Sequence, residues 1–240
     1  MVLLKRTRLF EQISEVLERQ IRGREFEEGA ELPSERDLMQ QFNVGRPAVR
    51  EALFHLQSMG LVVLRSGSRA RVIAPSPAAV LSSLAGSARY LLSDAQGMRH
   101  FQEARILFET GLVRDAARRA TPEDKAALQQ ALDENRDAIG DVRRFEKTDV
   151  AFHYAIARIP RNPIYTSLHS AIIDWLVDQR RVSLNYPGQN RVAYEAHAAI
   201  CKAIADRDED RAVSAMLQHL LQVAELYWKV REAQFGEAQA

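Results

Sequence analysis

The stretch LPSERDLMQQFNVGRPAVREALFHLQSMGLV, residues 32–62, predicts two short helices joined by a tight turn. Ser34 follows a proline and has Asp37 three residues later, which is typical of a helix start. The turn is predicted at residues 43–45. Pro47 is compatible with the first turn of the next helix, because that turn needs no donor there. Apolar residues at helical spacing give each helix one face to bury.

The segments on either side extend this pair into a larger motif. An amphipathic helix is predicted over residues 9–21, and LVVLRSGSRARVI, residues 61–73, predicts a two-stranded hairpin around Ser66 and Gly67. This order of elements is that of a winged helix-turn-helix, in which the helix after the turn enters the major groove of DNA. We therefore expect a DNA-binding domain over residues 1–73.

The arginines of this segment support a DNA partner. Residues 32–73 contain six arginines and three acidic residues, a local net charge of +3 in a chain whose total is +1. Arg46 and Arg50 lie one turn apart at the start of the second helix, where a guanidinium can read guanine O6 and N7. Arg36 is placed for a phosphate or a base. The alternative is that these arginines are solvated helix ends paired with Glu35 and Glu51.

The rest of the chain is predicted to be helical. APSPA, residues 74–78, predicts a linker because two prolines interrupt it. Short connections between the helical segments favour an antiparallel bundle of six to seven helices over residues 79–235, which makes the fold mainly α. The predicted helical stretches are 79–93, 97–120, 122–139, 142–158, 163–183, 190–206 and 208–233.

Composition excludes several classes of protein. The chain has 240 residues and a single cysteine, Cys201, so an internal disulfide and a cysteine-rich zinc motif are both excluded. No apolar run reaches the roughly 18–20 residues that span a bilayer, so no membrane partner is expected. The N-terminus lacks a signal-peptide pattern. We expect a cytoplasmic protein.

A sparse set of polar residues interrupts the apolar faces of the helical half. Asp149 and His153 are one turn apart, and His197 and His219 follow on later helices. Side chains of this kind that converge in a bundle core can satisfy one another by binding a divalent metal. The alternative for each histidine is a hydrogen-bonded core residue. The remaining histidines are assigned to that class: His55, His100 and His169.

The 32–62 stretch resembles the GntR family of bacterial transcription regulators, whose LPSER…VREAL…GLV pattern it matches in register. The resemblance implies a homodimer that binds double-stranded operator DNA. The positions that it marks as DNA contacts are Arg36, Arg46, Pro47, Ala48, Arg50 and Gly67. For the homodimer, the candidate interface is the apolar face of Leu84, Leu91 and Leu92 together with the helix at 164–177.

Residues 80–230 resemble the all-helical effector domain of the fatty-acid-regulator-like branch of this family. That resemblance implies a metal held by Asp149, His153, His197 and His219. Zn²⁺ is expected, and Ni²⁺ or Mn²⁺ would fit the same ligands. It also implies a small carboxylate effector with Arg105 near it. The alternative for Arg105 is a salt bridge with Glu109 on the next turn.

The segments FNVGRPAVREAL, SDAQG and NPIYTSLHSAIIDWL are similar to the sialic-acid-responsive members of the family. This likeness implies a ligand-responsive repressor of a catabolic operon that senses a sialic acid or another sugar acid. Two alternatives stay open. One is a metal-dependent hydrolase of acidic sugars, although no general base like that of an HExxH motif accompanies the histidines and an enzyme is not expected. The other is a regulator whose metal is purely structural.

Overall fold

A computed structural model describes residues 8–74 and 76–237, with side chains as far as Ala233. The chain divides into two compact units between Val80 and Leu81. Residues 1–7 of the proposed DNA-binding domain and Pro75 of the proposed linker lie outside the described residues. The first helix of the second half begins at Pro77, inside the segment predicted as a linker.

The first unit is a small winged helix-turn-helix. Its helices are α1 (Leu9–Arg22), α2 (Glu35–Phe42) and α3 (Arg46–Ser58), and its strands are β1 (Val62–Val63) and β2 (Arg71–Val72). The two strands pair antiparallel with Val62 opposite Val72. One apolar core joins all five elements and contains Leu17, Leu38, Val49 and Leu56, none of which is accessible to solvent. The predicted order of elements is confirmed.

Local signals fix the helix ends of this unit. The Ser34 hydroxyl accepts a hydrogen bond from the Asp37 N–H, and the Asp37 carboxylate accepts one from the Ser34 N–H, so the capping box is formed. Asn43 ends α2 in the left-handed conformation with φ of 51°. Leu9 at the start of α1 is exposed, and Phe10 packs on the core.

The second unit is an all-helical bundle, and the expected fold class is confirmed. The helices of this half are α4 (Pro77–Ser83), which spans the boundary between the units, α5 (Ala85–Leu91), α6 (Ala95–Arg119), α7 (Pro122–Arg136), α8 (Val142–Arg158), α9 (Pro163–Trp175), α10 (Val177–Leu184), α11 (Gln189–Ala205) and α12 (Glu209–Glu237). The long helices α6 and α12 pack against each other, and α11 contacts α12 and α7. No helix of the described residues is long and apolar enough to cross a membrane.

Two of the predicted helical stretches are each divided in two. The stretch 79–93 contains α4 and α5, and the stretch 163–183 is interrupted at Leu176. At the second break, Arg180 donates a hydrogen bond from Nη1 to the carbonyl of Ile173, at 3.1 Å. This bond satisfies a helix-end carbonyl that would otherwise be buried without a partner. The break therefore depends on a charged side chain that turns into the bundle.

Gly97 allows the close approach of α5 to the start of α6. A Cβ atom at this position would lie 1.6 Å from the carbonyl oxygen of Leu91. Any other residue would push the two helices apart. The glycine thus holds the first turn of α6, the helix that carries Arg105 and Glu109, against the end of α5.

Candidate metal centre and nucleic-acid interface

Three histidines from three helices meet in the interior of the second unit. His153 lies on α8, His197 on α11 and His219 on α12, and all three are buried. One ring nitrogen of each lies within 4.8 Å of those of the other two. Nitrogens brought together in this way from three separate helices form a possible cation site.

Hydrogen bonds on the far side of two rings determine their orientation. His153 Nδ1 lies 2.6 Å from Glu109 Oε2, and His197 Nδ1 lies 2.9 Å from the side-chain oxygen of Asn135. Because both oxygens accept, each Nδ1 carries the proton and each Nε2 keeps a free lone pair. Ligating histidines in metal sites are oriented by bonds of this kind.

The other nitrogens of this group have no partner. Among the described residues, no hydrogen bond reaches His153 Nε2, His197 Nε2 or His219 Nδ1, although all three atoms are buried. An unpaired buried polar atom costs about 1–3 kcal/mol, so three of them in one place indicate a missing ligand. The donor set of three imidazoles fits a divalent metal such as Zn²⁺.

Asp149 is the fourth of the predicted ligands, and its carboxylate lies beside the group. Its Oδ1 atom is 3.5 Å from His197 Nε2. Burial raises the pKa of Asp149 above its usual value, against the opposing effects of His153 and Arg105. A cation bound between Asp149 and the histidines would reverse that direction. The structure thus brings all four predicted side chains to one place.

Burial also keeps His197 and His219 neutral. It lowers the pKa of His197 well below its usual value, with a further contribution from His219. It lowers the pKa of His219 to about 3. Neutral imidazoles are the form that binds a metal, so these rings need no deprotonation near neutral pH.

Arg105, the predicted effector residue, forms a buried ion pair. Its Nε atom donates to Glu109 Oε1 at 2.6 Å, and both side chains are almost fully enclosed. Burial alone would raise the pKa of Glu109, but Arg105 and His153 together hold it well below the usual value. Glu109 is therefore ionised and links Arg105 to His153. The salt bridge named as the alternative for Arg105 is present, and no described side chain accepts from its terminal nitrogens.

Sequence reasoning did not place three residues at this centre: Asn135, Glu109, which was named only as a partner of Arg105, and His169, which was named only as a core histidine. Glu109 lies seven residues after the buried Gln102, and polar residues at that spacing on a buried face were the available signal. Asn135 gave no signal, since its role depends on α7 and α11 meeting. His169 was expected to be a hydrogen-bonded core residue, which is wrong: it is buried on α9 with neither ring nitrogen hydrogen-bonded.

Two other histidines were also expected in the core, and both are exposed. His55 on α3 packs one ring edge against Phe10, and His100 lies on the outer face of α6. Neither contributes to the polar cluster. His100 is useful as a control position for that reason.

The recognition surface of the first unit is organised around one carboxylate. Glu35 Oε2 lies 2.7 Å from Arg46 Nε, and Glu35 Oε1 lies 3.7 Å from Arg50 Nε. Both arginines are more than half exposed and project from the first turns of α3. Glu35 pairing, offered as the alternative reading, is present in the free protein. It leaves the guanidinium groups at the surface, where bases or phosphates can reach them.

The other predicted DNA contacts lie around these arginines. Arg36 and Pro47 are exposed, and Ala48 is half-buried at the start of α3. Gly67 is exposed at the tip of the hairpin with φ of +74°, and a Cβ atom there would meet no neighbour. The positive φ, rather than crowding, favours glycine at this tip.

Comparison with known families agrees with both units. The family described as "Bacterial regulatory proteins, gntR family" matches residues 9–72. The family described as "FCD domain" matches residues 100–222. The first match contains α1 to β2, and the second contains Arg105, Asp149 and the three clustered histidines.

Individual relatives cover nearly the whole chain. The HTH-type transcriptional repressor NanR of Cronobacter sakazakii is 46% identical over 90% of this chain and 84% of the relative. NanR of Klebsiella aerogenes is 46% identical over 92% and 86%. The solved structure of Streptococcus agalactiae GntR has a TM-score of 0.60 at 29% identity, covering 89% of this chain and 98% of that one. E. coli McbR/YncC, at 20% identity with a TM-score of 0.52 over 93% and 99%, shares the fold.

Proposed function

Because the chain belongs to the GntR family of bacterial transcription regulators and carries an FCD domain, we propose that it represses a catabolic operon until a small carboxylate binds at a metal centre. The protein is a DNA-binding transcription regulator and not an enzyme, since its relatives are regulators. The hydrolase alternative is therefore dropped. What we propose is the identity of the metal, of the effector and of the residues that contact DNA.

One observation carries the metal centre: three buried histidine nitrogens converge without a partner, next to a buried carboxylate. We assign the ligands as Asp149, His153, His197 and His219, with Zn²⁺ as the expected ion and Ni²⁺ or Mn²⁺ as alternatives. The bound ion would supply a Lewis-acidic position for an oxygen of the effector. Glu109 and Asn135 orient two of the rings toward it.

The effector is a small acid, and a sialic acid is the first candidate because the NanR relatives are 46% identical to this chain. Arg105 supplies the counter-charge. Its Nε atom is engaged by Glu109, and its terminal nitrogens have no described acceptor, so they can reach a carboxylate. Burial of the cluster would strengthen the contact between Arg105 and the effector carboxylate, because the attraction between charges increases where water is excluded.

The DNA-reading residues belong to the other unit. Arg46 and Arg50 are proposed to contact base edges, and Arg36 a base or a phosphate. The second group of proposed contacts is Pro47, Ala48 and Gly67. Effector binding changes operator affinity only if it favours one state of the protein over another, and a coupling of about 1–3 kcal/mol would change that affinity some 5- to 150-fold.

A homodimer is proposed, since two-fold symmetry lets two heads read two half-sites. The structure exposes part of the predicted interface: Leu84 and Leu91 are 47% and 54% exposed. Leu92, in contrast, packs on the apolar cluster of Ile172 and Leu176, so only part of its side chain could contact a second subunit. Ile164 at the start of α9 is 56% exposed.

The test compares His197→Ala with His100→Ala. Operator affinity is measured with and without N-acetylneuraminate, on protein whose zinc content is known from elemental analysis. We expect the wild type and His100→Ala to release the operator on adding the acid, and His197→Ala to bind DNA normally without responding. A metal-stripped wild type that still responds would contradict the metal-dependent switch and favour a structural metal.

A further inference from the structure

His169 is buried close to the proposed metal ligands, but it is not one of them. It is 1% exposed, and among the described residues no hydrogen bond reaches Nδ1 or Nε2. A side chain with two unpaired buried polar atoms destabilises the ligand-free protein. Its ring packs beside the rings of His153 and Tyr154, and these contacts leave both ring nitrogens without a hydrogen bond. Its presence points to a molecule that fills the gap.

The neighbours of His169 define that gap. One ring nitrogen of His169 lies within 4.8 Å of a carboxylate oxygen of Glu109 and of a ring nitrogen of His153. The His169 and His153 rings are nearly parallel, with centroids 6.4 Å apart. These separations are short enough for one bridging oxygen, with hydrogen bonds of about 2.8 Å on each side, to join the atoms.

The chemistry of the three side chains selects the kind of oxygen. The imidazole of His169 offers one donor and one acceptor nitrogen, and neither has a hydrogen-bond partner among the described residues. A carboxylate can only accept, and it would face the ionised Glu109. An ammonium can only donate, so it cannot accept from the N–H of His169. A hydroxyl both donates and accepts, so it can donate to Glu109 while it accepts from the N–H of His169.

We propose that His169 and Glu109 bind a hydroxyl group of the effector beside the metal centre, so that the protein selects hydroxylated acids over their deoxy counterparts. This inference rests on the proposed effector site in the second unit. It adds a specificity-determining residue that belongs to no proposed ligand set.

The experiment uses zinc-loaded, full-length protein and two probes that differ in one hydroxyl, malate and succinate. Calorimetric titration gives the ratio of their dissociation constants for the wild type, His169→Leu, His169→Gln and the control His100→Leu. We expect the wild type and His100→Leu to prefer malate by about tenfold or more, since a site built to bond a hydroxyl rejects the analogue without it. His169→Leu should lose the preference, and His169→Gln should retain part of it.

Thermal melting of the ligand-free variants separates this role from a structural one. His169→Leu should melt no lower than the wild type, because it removes two unpaired polar atoms. Equal affinities for malate and succinate in the wild type would overturn the inference, and so would a preference that survives in His169→Leu. If His169→Leu melts at a lower temperature and also loses the preference for malate, the result for His169→Gln is needed. A malate preference retained in His169→Gln supports the inference, and loss of that preference in His169→Gln overturns it.

The proposed function is judged by a different measurement, the release of operator DNA by N-acetylneuraminate. Failure of that release with an intact malate preference would reject the sialic acid as effector and leave His169 as the hydroxyl-binding residue. Release without any malate preference would support the switch and overturn the role of His169.

Discussion

Arg46 Nε donates a hydrogen bond to Glu35 Oε2 over 2.7 Å, which joins the start of α2 to the start of α3 in the DNA-free protein. The same carboxylate lies 3.7 Å from Arg50. A negative charge at this position holds both guanidinium groups and repels DNA phosphates that approach without the matching bases. Glu35 is therefore expected to increase the preference for the operator over random DNA, rather than the affinity for DNA in general.

Glu35→Gln should strengthen binding to random DNA more than binding to the operator. Exposed ion pairs contribute about 0.2–1 kcal/mol, so the change in the specificity ratio should be some two- to fivefold. Fluorescence anisotropy with operator and scrambled duplexes at two salt concentrations measures it. The control is Glu51→Gln, since Glu51 lies on α3 beside Arg50, whereas the described ion pairs of Arg46 and Arg50 are with Glu35. A uniform change on both duplexes would mean that Glu35 acts only through net charge.

Arg46→Ala and Arg50→Ala should each weaken operator binding by about 1–3 kcal/mol and flatten the preference for the operator. The physical reason is the loss of paired hydrogen bonds to a base edge. Arg19→Ala, an exposed arginine on α1, serves as the control. Equal losses on operator and random DNA would reassign the residue as a phosphate contact.

Glu109→Gln should lower zinc affinity about 10- to 100-fold, because His153 loses the carboxylate that orients it. Arg105 would also lose its buried counter-charge, and unfolding free energy should fall by about 3–5 kcal/mol. Competition with a zinc-binding dye and urea denaturation measure the two effects. Glu103→Gln, an exposed position on α6, is the control. Unchanged zinc affinity would exclude Glu109 as an orienting residue.

Acid should destabilise the metal-free protein well above the range where carboxylates protonate. The folded-state pKa is lowered to about 4 for His169 and about 3 for His219, against about 6.5 in the unfolded chain. The unfolded state therefore binds more protons below pH ~6.5, and stability present above that pH is lost as pH falls toward 4 and 3. Each histidine contributes a slope of about 1.4 kcal/mol per pH unit in this window.

The check is a series of urea unfolding curves for metal-free protein between pH 7 and pH 4. His169→Leu should have a slope smaller by about 1.4 kcal/mol per pH unit, since one proton fewer is taken up on unfolding. His100→Leu should match the wild type. An identical slope for His169→Leu would show that His169 titrates alike in both states.

The dimer should depend on the exposed apolar residues of α5 and α9. Leu91→Glu and Ile164→Glu place a charge at positions that are now more than half exposed and apolar. If these faces are buried between subunits, the charge is desolvated, and the dimer dissociation constant should rise more than about tenfold. Analytical ultracentrifugation measures it, with Leu217→Glu on α12 as the control. Dimers of unchanged stability in both variants would place the interface elsewhere.

The parts of the fold that local chemistry determines could be predicted from the sequence. Ser34 and Asp37 form the capping box that their spacing predicted, because a cap involves only residues of one turn. His153, His197 and His219 could be placed in the interior because helical periodicity assigns each to a buried face. Their convergence required that the helices be antiparallel neighbours, and short connections favour that arrangement.

What could not be predicted depends on contacts between distant segments. Periodicity places His169 in the core, but whether its nitrogens find partners depends on α6 and α8. The break at Leu176 could not be predicted from the sequence either. In the sequence Arg180 looks like an ordinary surface residue, and only the structure shows its hydrogen bond to the carbonyl of Ile173. Glu109 looked like the partner of Arg105, and its second bond, to His153, spans 44 residues of sequence.

His153 has contacts on both sides: Nδ1 lies 2.6 Å from Glu109, and one of its ring nitrogens belongs to the group formed with His197 and His219. With the metal and the effector placed as proposed, one ring touches both binding events, and thermodynamic reciprocity then applies to them. A cell short of zinc would need more of the nutrient to derepress the operon. Conversely, abundant nutrient would make the protein retain its zinc more tightly. The effector concentration needed for half-maximal expression of the operon would thus depend on the supply of zinc as well as on the supply of the nutrient.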